Sequence, residues 1–188
     1  DFTAMLQDLM DGVSNCGQCL FTTYAFFPPP LIARPNSWYT KAFCAAVPYL
    51  GPVLRVINKF PEIACIHIPV FFNQTLALHY VTGMPVTFGS FFKMGKRGYT
   101  LERHINTRFG IRRKDDSLPK RLTDEPQIKD DETTKVPLEK MKNVYYDARG
   151  WTQDGVPTPK TLKRLGLDKL DSYKVTCEEF KNRKRGEE

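Results

Sequence analysis

Two cysteines near the start of the chain are the residues best suited to chemistry. Cys16 and Cys19 lie three positions apart, with Gly17 between them. Thiolates at this spacing can chelate a metal ion or an iron–sulfur cluster, or they can form a redox-active pair. The spacing alone leaves a further interpretation open, in which both thiols are partly buried and purely structural.

The rest of the sequence narrows these alternatives. A thioredoxin-like pair would need a preceding strand and an α/β pattern, and the sequence shows neither. A tetrahedral zinc site would need two further ligands, but Cys44, Cys65 and the three histidines form no second pair at a matching spacing. The five cysteines are an odd number, which argues against a complete disulfide framework. We therefore expect a reducing, cytoplasmic compartment.

The elements that must position these thiols are predicted to be helices. Apolar residues recur at helical spacing over 1–10, before a turn at 12–17. The clearest helix is predicted over 87–109, with Thr87 as the N-cap and Gly110 as the C′ residue. Further helices are predicted over 42–46, 53–60, 69–80, 138–148 and 159–166. Since no segment alternates with a period of two between hairpin turns, the expected fold class is mainly α.

The composition changes near residue 93, from an apolar first half to a charged second half. We predict one helical domain over 1–172, with a proline-rich insertion over about 28–69. The strongly polar residues 173–188 are predicted to be a frayed tail. A membrane span is not expected, because no stretch of 18 or more apolar residues occurs.

The net charge of +7 and the pI near 9.2 raise the question of a nucleic-acid partner. The basic residues after position 93 are interleaved with acids, as in 112–116. This pattern is typical of a solvated surface and not of a stripe that follows phosphates, so no nucleic-acid partner is expected. A basic surface could equally dock an acidic protein or an anionic cofactor.

The cysteine segment and several downstream blocks together resemble the tungsten- and molybdenum-dependent aldehyde:ferredoxin oxidoreductases. Residues 14–21 are similar to the family's D-x-x-G-x-C segment and its flank. The other similar blocks, in chain order, are 78–87, 95–109, 112–122, 145–151 and 154–158. Each block is weak alone, but their shared order is specific, and the resemblance covers most of 8–170.

The resemblance implies a role for the cysteine segment. Cys19 would be the fourth ligand of a [4Fe–4S] cluster. The residues expected to contact the pterin of a tungsten- or molybdenum-bis-pterin cofactor are Ser14, Asn15, Gly17, Gln18 and Cys19. Ser14 stands where the family has Asp, and a hydroxyl makes a weaker, single contact than a carboxylate does.

A second register of the same motif is open. Residues 11–16 restore the aspartate as Asp11 and make Cys16 the ligand, but they place Ser14 where the family has glycine. We prefer the register that ends at Cys19, because residues 19–22 continue like the family. Cys16 would then line the same cavity as a spare thiol. The catalytic residues within this chain remain unknown.

The resemblance also implies a larger enzyme, of which this chain would be the C-terminal helical domain. The family's other cluster cysteines, C-x-x-C-x-x-x-C, do not occur in these 188 residues. We therefore expect the chain to be inert alone and to need N-terminal and middle domains that complete the cofactor site. The implied reaction oxidises an aldehyde to a carboxylic acid, with ferredoxin as the electron acceptor. A homo-oligomer is an open alternative.

In a competing interpretation, the protein has the fold of the family but does not bind its cofactors. The chain would then be a degenerate, cofactor-free structural paralogue or partner subunit. Ser14 in place of the family's aspartate and the absent cluster cysteines favour this interpretation.

Overall fold

The longest helix has the boundaries that its sequence predicts. The structure, a computed structural model, describes residues 2–17, 19, 21, 29–61 and 73–186. Over these residues the helices are α1 Phe2–Asn15, α2 Pro29–Ala33, α3 Trp38–Ala46, α4 Gly51–Lys59, α5 Asn73–Thr82, α6 Phe88–Arg108, α7 Lys120–Asp124, α8 Leu138–Arg149, α9 Pro159–Arg164 and α10 Asp171–Gly186. The described part of the chain contains no strand, only two isolated bridges. The expected mainly α fold is confirmed.

The ends of α6 are fixed by local hydrogen bonds. The Thr87 hydroxyl accepts from the Ser90 backbone N–H at 3.1 Å, and the Ser90 hydroxyl accepts from the Thr87 N–H at 2.8 Å. This reciprocal pair satisfies two donors that a helix start leaves open. Gly110 follows the last turn with a φ of 92°. The predicted N-cap and C′ residues are therefore both confirmed.

The chain divides into two compact units, Asp1–Tyr99 and Thr100–Glu188. The first unit has a hydrophobic cluster of Val13, Val86 and Phe91, with partly buried Leu9, Cys16, Leu78 and Met94 packed against it. Burial of such side chains is the main force that holds short helices together.

Glycines let α1 and α6 approach closely in this unit. A Cβ atom built on Gly95 would lie 1.7 Å from the carbonyl oxygen of Asp8, and one on Gly12 would lie 2.9 Å from the Phe91 ring. A glycine inside a helix costs roughly 1 kcal/mol relative to alanine. Here the cost is offset because the packing contact requires a residue without a side chain.

The second unit is built on α8, α9 and α10. Its hydrophobic cluster consists of Leu162, Leu165 and Leu167, with Leu101, Leu170 and Tyr173 packed against it. The helix α8 ends at Gly150, whose φ of 70° is the left-handed conformation of a C′ glycine. The hydroxyls of Thr158 and Thr161 donate to the Gly150 carbonyl at 2.9 and 2.8 Å, which ties the end of α8 to the start of α9.

The polar C-terminal segment differs from its prediction. Residues 173–188 were expected to form a frayed tail, whereas α10 runs over Asp171–Gly186. One face of this helix is anchored: Thr176 is buried, and Glu179 pairs with Arg108 at 2.8 Å. A few contacts on one face are enough to hold a helix whose composition is otherwise that of a disordered tail.

Other predictions of segment boundaries have mixed outcomes. Residues 117–137, over which no helix is predicted, contain the short helix α7 and a 3-10 turn at Glu132–Thr134. Within the predicted insertion, the described residues form α2, α3 and α4, while 62–72 lie outside the described part. The domain limits of 1–172 and the insertion itself stay predictions. Among the described helices, none combines the length and the apolar character that a membrane crossing requires.

Candidate functional site

The predicted cofactor segment lies at the C-terminal end of α1. Ser14 and Asn15 are its last two residues, and both are exposed. Gly17 follows with a φ of 71°, and its N–H donates to the Ser14 carbonyl at 2.9 Å. The left-handed turn that ends the helix therefore explains why glycine stands here. Gln18 lies outside the described residues.

The two thiols of this segment occupy opposite environments. Cys16 is half-buried and packs against the cluster of Val13, Val86 and Phe91, and burial raises the pKa of its thiol. Cys19 lies beyond the helix and is exposed. The structure thus packs Cys16 against the hydrophobic cluster, and of these two thiols only Cys19 is exposed.

The side chain of Asn15 faces α6. Its Nδ2 donates to Asp11 Oδ2 at 2.7 Å, and a Cβ on Gly98 would lie 2.4 Å from each of these two atoms. Asp11, the aspartate of the alternative register, is therefore engaged within its own helix. The last turn of α1 is held against a helix face that is free of side-chain bulk at Gly98.

The chain can supply one ligand to a cluster at this site. Within the described ranges, no group of three His, Cys, Asp or Glu side chains could hold a metal ion. A single exposed thiol just past a helix end fits one position of a cubane cluster, whose iron atoms each take one thiolate. The donor set therefore fits a cluster that is completed by ligands from elsewhere.

A second polar cluster lies in the other unit and is centred on Asp116. Arg103 donates to both carboxylate oxygens, at 2.7 and 2.6 Å, and its Nε donates to the Gly155 carbonyl at 2.8 Å. The Tyr146 hydroxyl also donates to the carboxylate. The interpretation of 112–116 as a solvated surface is wrong for Asp116, which is a partly buried member of a network.

The protonation states of this cluster are fixed by its contacts. Burial alone would raise the pKa of Asp116, but the hydrogen bonds from Arg103 and Tyr146 outweigh it, and the pKa is lowered. Burial and the hydrogen bond to Asp116 raise the pKa of Tyr146. At neutral pH the carboxylate is ionised and the phenol is protonated. The cluster is therefore suited to holding loops together and not to exchanging protons.

Sequence reasoning missed a buried arginine. Arg149, the last residue of α8, is fully buried. Its Nε donates to the Tyr145 hydroxyl at 3.0 Å, and its guanidinium lies over the rings of Tyr145 and Trp151, at 5.3 and 6.0 Å. The aromatic residues around it in 145–151 were the available signal, since arginine stacks on aromatic faces.

The histidines divide by environment. His104 is buried in the second unit, with Nε2 2.8 Å from the Ser172 hydroxyl. Burial and the nearby charge of Arg108 lower its pKa, against an opposing effect of Glu179. His79 is exposed, with Nδ1 2.7 Å from the Met84 carbonyl. His67 lies outside the described residues.

The chain is similar in sequence to known proteins over most of its length. A family model described as aldehyde ferredoxin oxidoreductase, domains 2 and 3, matches residues 1–167. A tungsten-containing aldehyde ferredoxin oxidoreductase from Pyrococcus abyssi is 36% identical over 95 residues, which are 50% of this chain and 16% of that protein.

Two further relatives carry the same name. The protein from Pyrococcus horikoshii is 35% identical over 100 residues, 52% of this chain and 16% of its own length. The protein from Pyrococcus furiosus is 35% identical over 92 residues, 48% of this chain and 15% of its own length. The chain thus spans only about a sixth of the length of the curated relatives it matches.

Proposed function

Because the chain belongs to the aldehyde ferredoxin oxidoreductase family, we propose that it is the C-terminal, cofactor- and cluster-contacting part of an enzyme. That enzyme would oxidise aldehydes to carboxylic acids and pass the electrons to ferredoxin. The relatives' printed names, which include tungsten, support the metal and the reaction class. A cytoplasmic location is part of the proposal, since the cysteine usage suits a reducing compartment.

The observation that carries the proposal is the separation of the two thiols. The family motif needs one accessible thiolate directly after a glycine turn, and Cys19 is exposed just beyond Gly17. Cys16, the ligand of the alternative register, is half-buried in the core, and its raised pKa disfavours the thiolate that a metal requires. Exposure therefore favours Cys19, and the raised pKa of Cys16 argues against the alternative register.

The residues of this chain would bind and orient the groups that do the chemistry. When bound, the metal-pterin centre supplies two-electron oxidation and the cluster supplies one-electron transfer. Cys19 would provide one thiolate ligand. Ser14, at the exposed end of α1, would offer a hydroxyl to the pterin, and Gly17 would let its backbone approach closely. Asn15 and Gln18 complete the proposed contact segment.

The relatives are much longer than the segment that this chain matches, so further domains are expected as partners. Since the chain spans about 16% of them, we propose that N-terminal and middle domains supply the other three cluster ligands and most of the pterin site. The chain alone would be inert. The net charge of +7 suits an acidic electron acceptor such as ferredoxin.

The proposal is tested on the natively purified protein that contains this chain, prepared without oxygen. About four iron atoms and about one tungsten or molybdenum atom per protomer are expected, as one cubane cluster and one metal-pterin centre require. Cys19→Ser is expected to lose cluster iron. Cys16→Ser tests the alternative register, and Cys44→Ser, at an exposed position on α3, is the matched control. Full iron content in Cys19→Ser would contradict the assignment.

A second candidate function is the cofactor-free structural paralogue. It is favoured by Ser14, because the residue at the family's aspartate position is an exposed hydroxyl in this chain. Absence of iron, tungsten and molybdenum from a sample that contains the remaining domains would select this alternative. Restoring the carboxylate with Ser14→Asp would then show whether this one position accounts for the loss.

A further inference from the structure

We propose that Gly95 is a positioning residue, which fixes where the end of α1, and with it Cys19, is held. The inference rests on the proposed role of Cys19 as a cluster ligand. A Cβ atom on Gly95 would lie 1.7 Å from the Asp8 carbonyl oxygen, 2.7 Å from the Asp8 carbonyl carbon and 2.8 Å from the Gly12 nitrogen. All three are backbone atoms, so no rotation of a side chain can relieve the overlap.

The contact at Gly95 is transmitted to the motif by a continuous helix. Asp8 and Gly12 lie in α1, which runs without interruption to Asn15. The Cys16 N–H bonds to the Gly12 and Val13 carbonyls, at 3.2 Å each, and the half-buried Cys16 packs on the same core as Phe91 of α6. A shift of α1 away from α6 therefore displaces the turn at Gly17 from which Cys19 follows.

Gly98 provides a graded comparison on the same face of α6, three residues further along. Its Cβ would lie 2.4 Å from Asn15 Nδ2 and 2.4 Å from Asp11 Oδ2. These atoms are the ends of side chains, which can move, so the overlap is milder than at Gly95. Both atoms nevertheless belong to the last two turns of α1, so their displacement disturbs the same segment.

The test compares three substitutions in the protein that contains this chain, together with its cofactors. Gly95→Ala and Gly98→Ala add a methyl group at the interface. Gly51→Ala is the matched control, because Gly51 has helical backbone angles and nothing within 4 Å of an added Cβ. The readouts are the iron content per protomer, the reduction potential of the cluster and the electron paramagnetic resonance spectrum of its reduced form.

Gly95→Ala is expected to lose iron and to shift the reduction potential of the cluster that remains, because a thiolate out of place alters its environment. Gly98→Ala is expected to retain iron and to show a smaller shift, and Gly51→Ala to match the unsubstituted protein. If Gly95→Ala does not accumulate as folded protein, Gly98→Ala carries the test, since its overlap involves only side-chain ends.

Two results would overturn different statements. An unchanged potential and spectrum in Gly98→Ala and in any folded Gly95→Ala would overturn the positioning role while leaving Cys19 as a ligand. A Cys19→Ser variant that keeps its full iron content and its spectrum would instead overturn the proposed function on which this inference rests.

Discussion

At the scale of single residues, the side chain of Arg103 connects three separate parts of the second unit. It makes two hydrogen bonds to Asp116 and one to Gly155, and it lies over the Trp151 ring at 5.4 Å. Its side chain is 11% exposed, against 30% for that of Asp116. The pair is therefore better shielded from water and salt than a surface ion pair.

Arg103→Met is expected to lower the free energy of unfolding by about 1–3 kcal/mol, because it removes charge-assisted hydrogen bonds and leaves a partly buried carboxylate. Urea unfolding of the protein that contains the chain measures this loss. Arg108→Met is the control, since its pair with Glu179 is exposed on both sides and is worth roughly 0–1 kcal/mol. Equal losses in the two variants would contradict the network.

His104 gives a prediction for the pH dependence. Its folded-state pKa is lowered, first by burial and then by Arg108, whereas the unfolded-state pKa is about 6.5. As pH falls below about 6.5, the unfolded state takes up this proton first, so stability decreases until the folded-state pKa is reached. His104→Gln is expected to flatten this part of the stability profile. A profile that keeps its slope in His104→Gln would rule out this source.

At the scale of elements, the end of α8 combines backbone conformation with packing. Gly150 has a φ of 70°, and an added Cβ would lie 2.5 Å from the Thr161 hydroxyl oxygen. That hydroxyl donates to the Gly150 carbonyl. Gly166 has a similar φ of 68° but nothing within 4 Å. Substituting each of the two glycines by alanine therefore distinguishes the free-energy cost of a left-handed backbone from the additional cost of a steric clash.

Gly166→Ala is expected to cost about 1–2 kcal/mol, the strain of an L-residue in the left-handed region. Gly150→Ala should cost more, because the same strain is joined by the displaced Thr161 hydroxyl. Thermal unfolding of the two variants measures the difference. A Gly150→Ala variant that is no less stable than Gly166→Ala would show that the threonine contact carries no weight.

The sequence was sufficient for elements whose signals are local. The N-cap Thr87, the C′ residues Gly110 and Gly150, and the Thr158–Pro159 start of α9 all have local chemistry that fixes an end. The helix α10 depends on contacts with residues far away in the chain, such as the pair of Glu179 with Arg108. Such tertiary contacts override composition, and no local pattern reports them.

At the scale of the whole molecule, each of the two units carries one of the chain's two tryptophans. Trp38, in the first unit, is 80% exposed, and Trp151, in the second, is 5% exposed. The sequence could not rank these two residues, because both lie among aromatic neighbours. Trp151 is buried because it packs against Arg103 and Arg149.

Tryptophan fluorescence should separate the two environments. In the protein that contains this chain, Trp38→Phe is expected to remove an emission component that acrylamide quenches readily, since Trp38 is exposed. Trp151→Phe is expected to remove a component that is quenched poorly, since Trp151 is buried. The Stern–Volmer slopes of the two variants measure the contrast. Similar slopes would contradict the burial of Trp151 or the exposure of Trp38.

In the candidate site too, part of the arrangement can be predicted from local sequence and part depends on packing between helices. The motif was predicted from residues 14–21, because glycine and cysteine stand at fixed offsets, and its preferred register stays a prediction. The role of Gly95 in holding that segment could not be predicted from the sequence. The glycines of α6 are explained by the approach of α1 to within van der Waals range.

The turn at the end of α1 separates a thiol in a hydrocarbon environment from a thiol in water within three residues. Alkylating reagents attack thiolates that they can reach, so in the protein without a bound cluster iodoacetamide should modify Cys19 well before Cys16. The ratio of the two modification rates cancels differences in reagent and protein concentration. Cys16 therefore serves as an internal reference for the accessibility of Cys19. Mass spectrometry of the one peptide that contains both cysteines would report whether a bound group or domain covers Cys19.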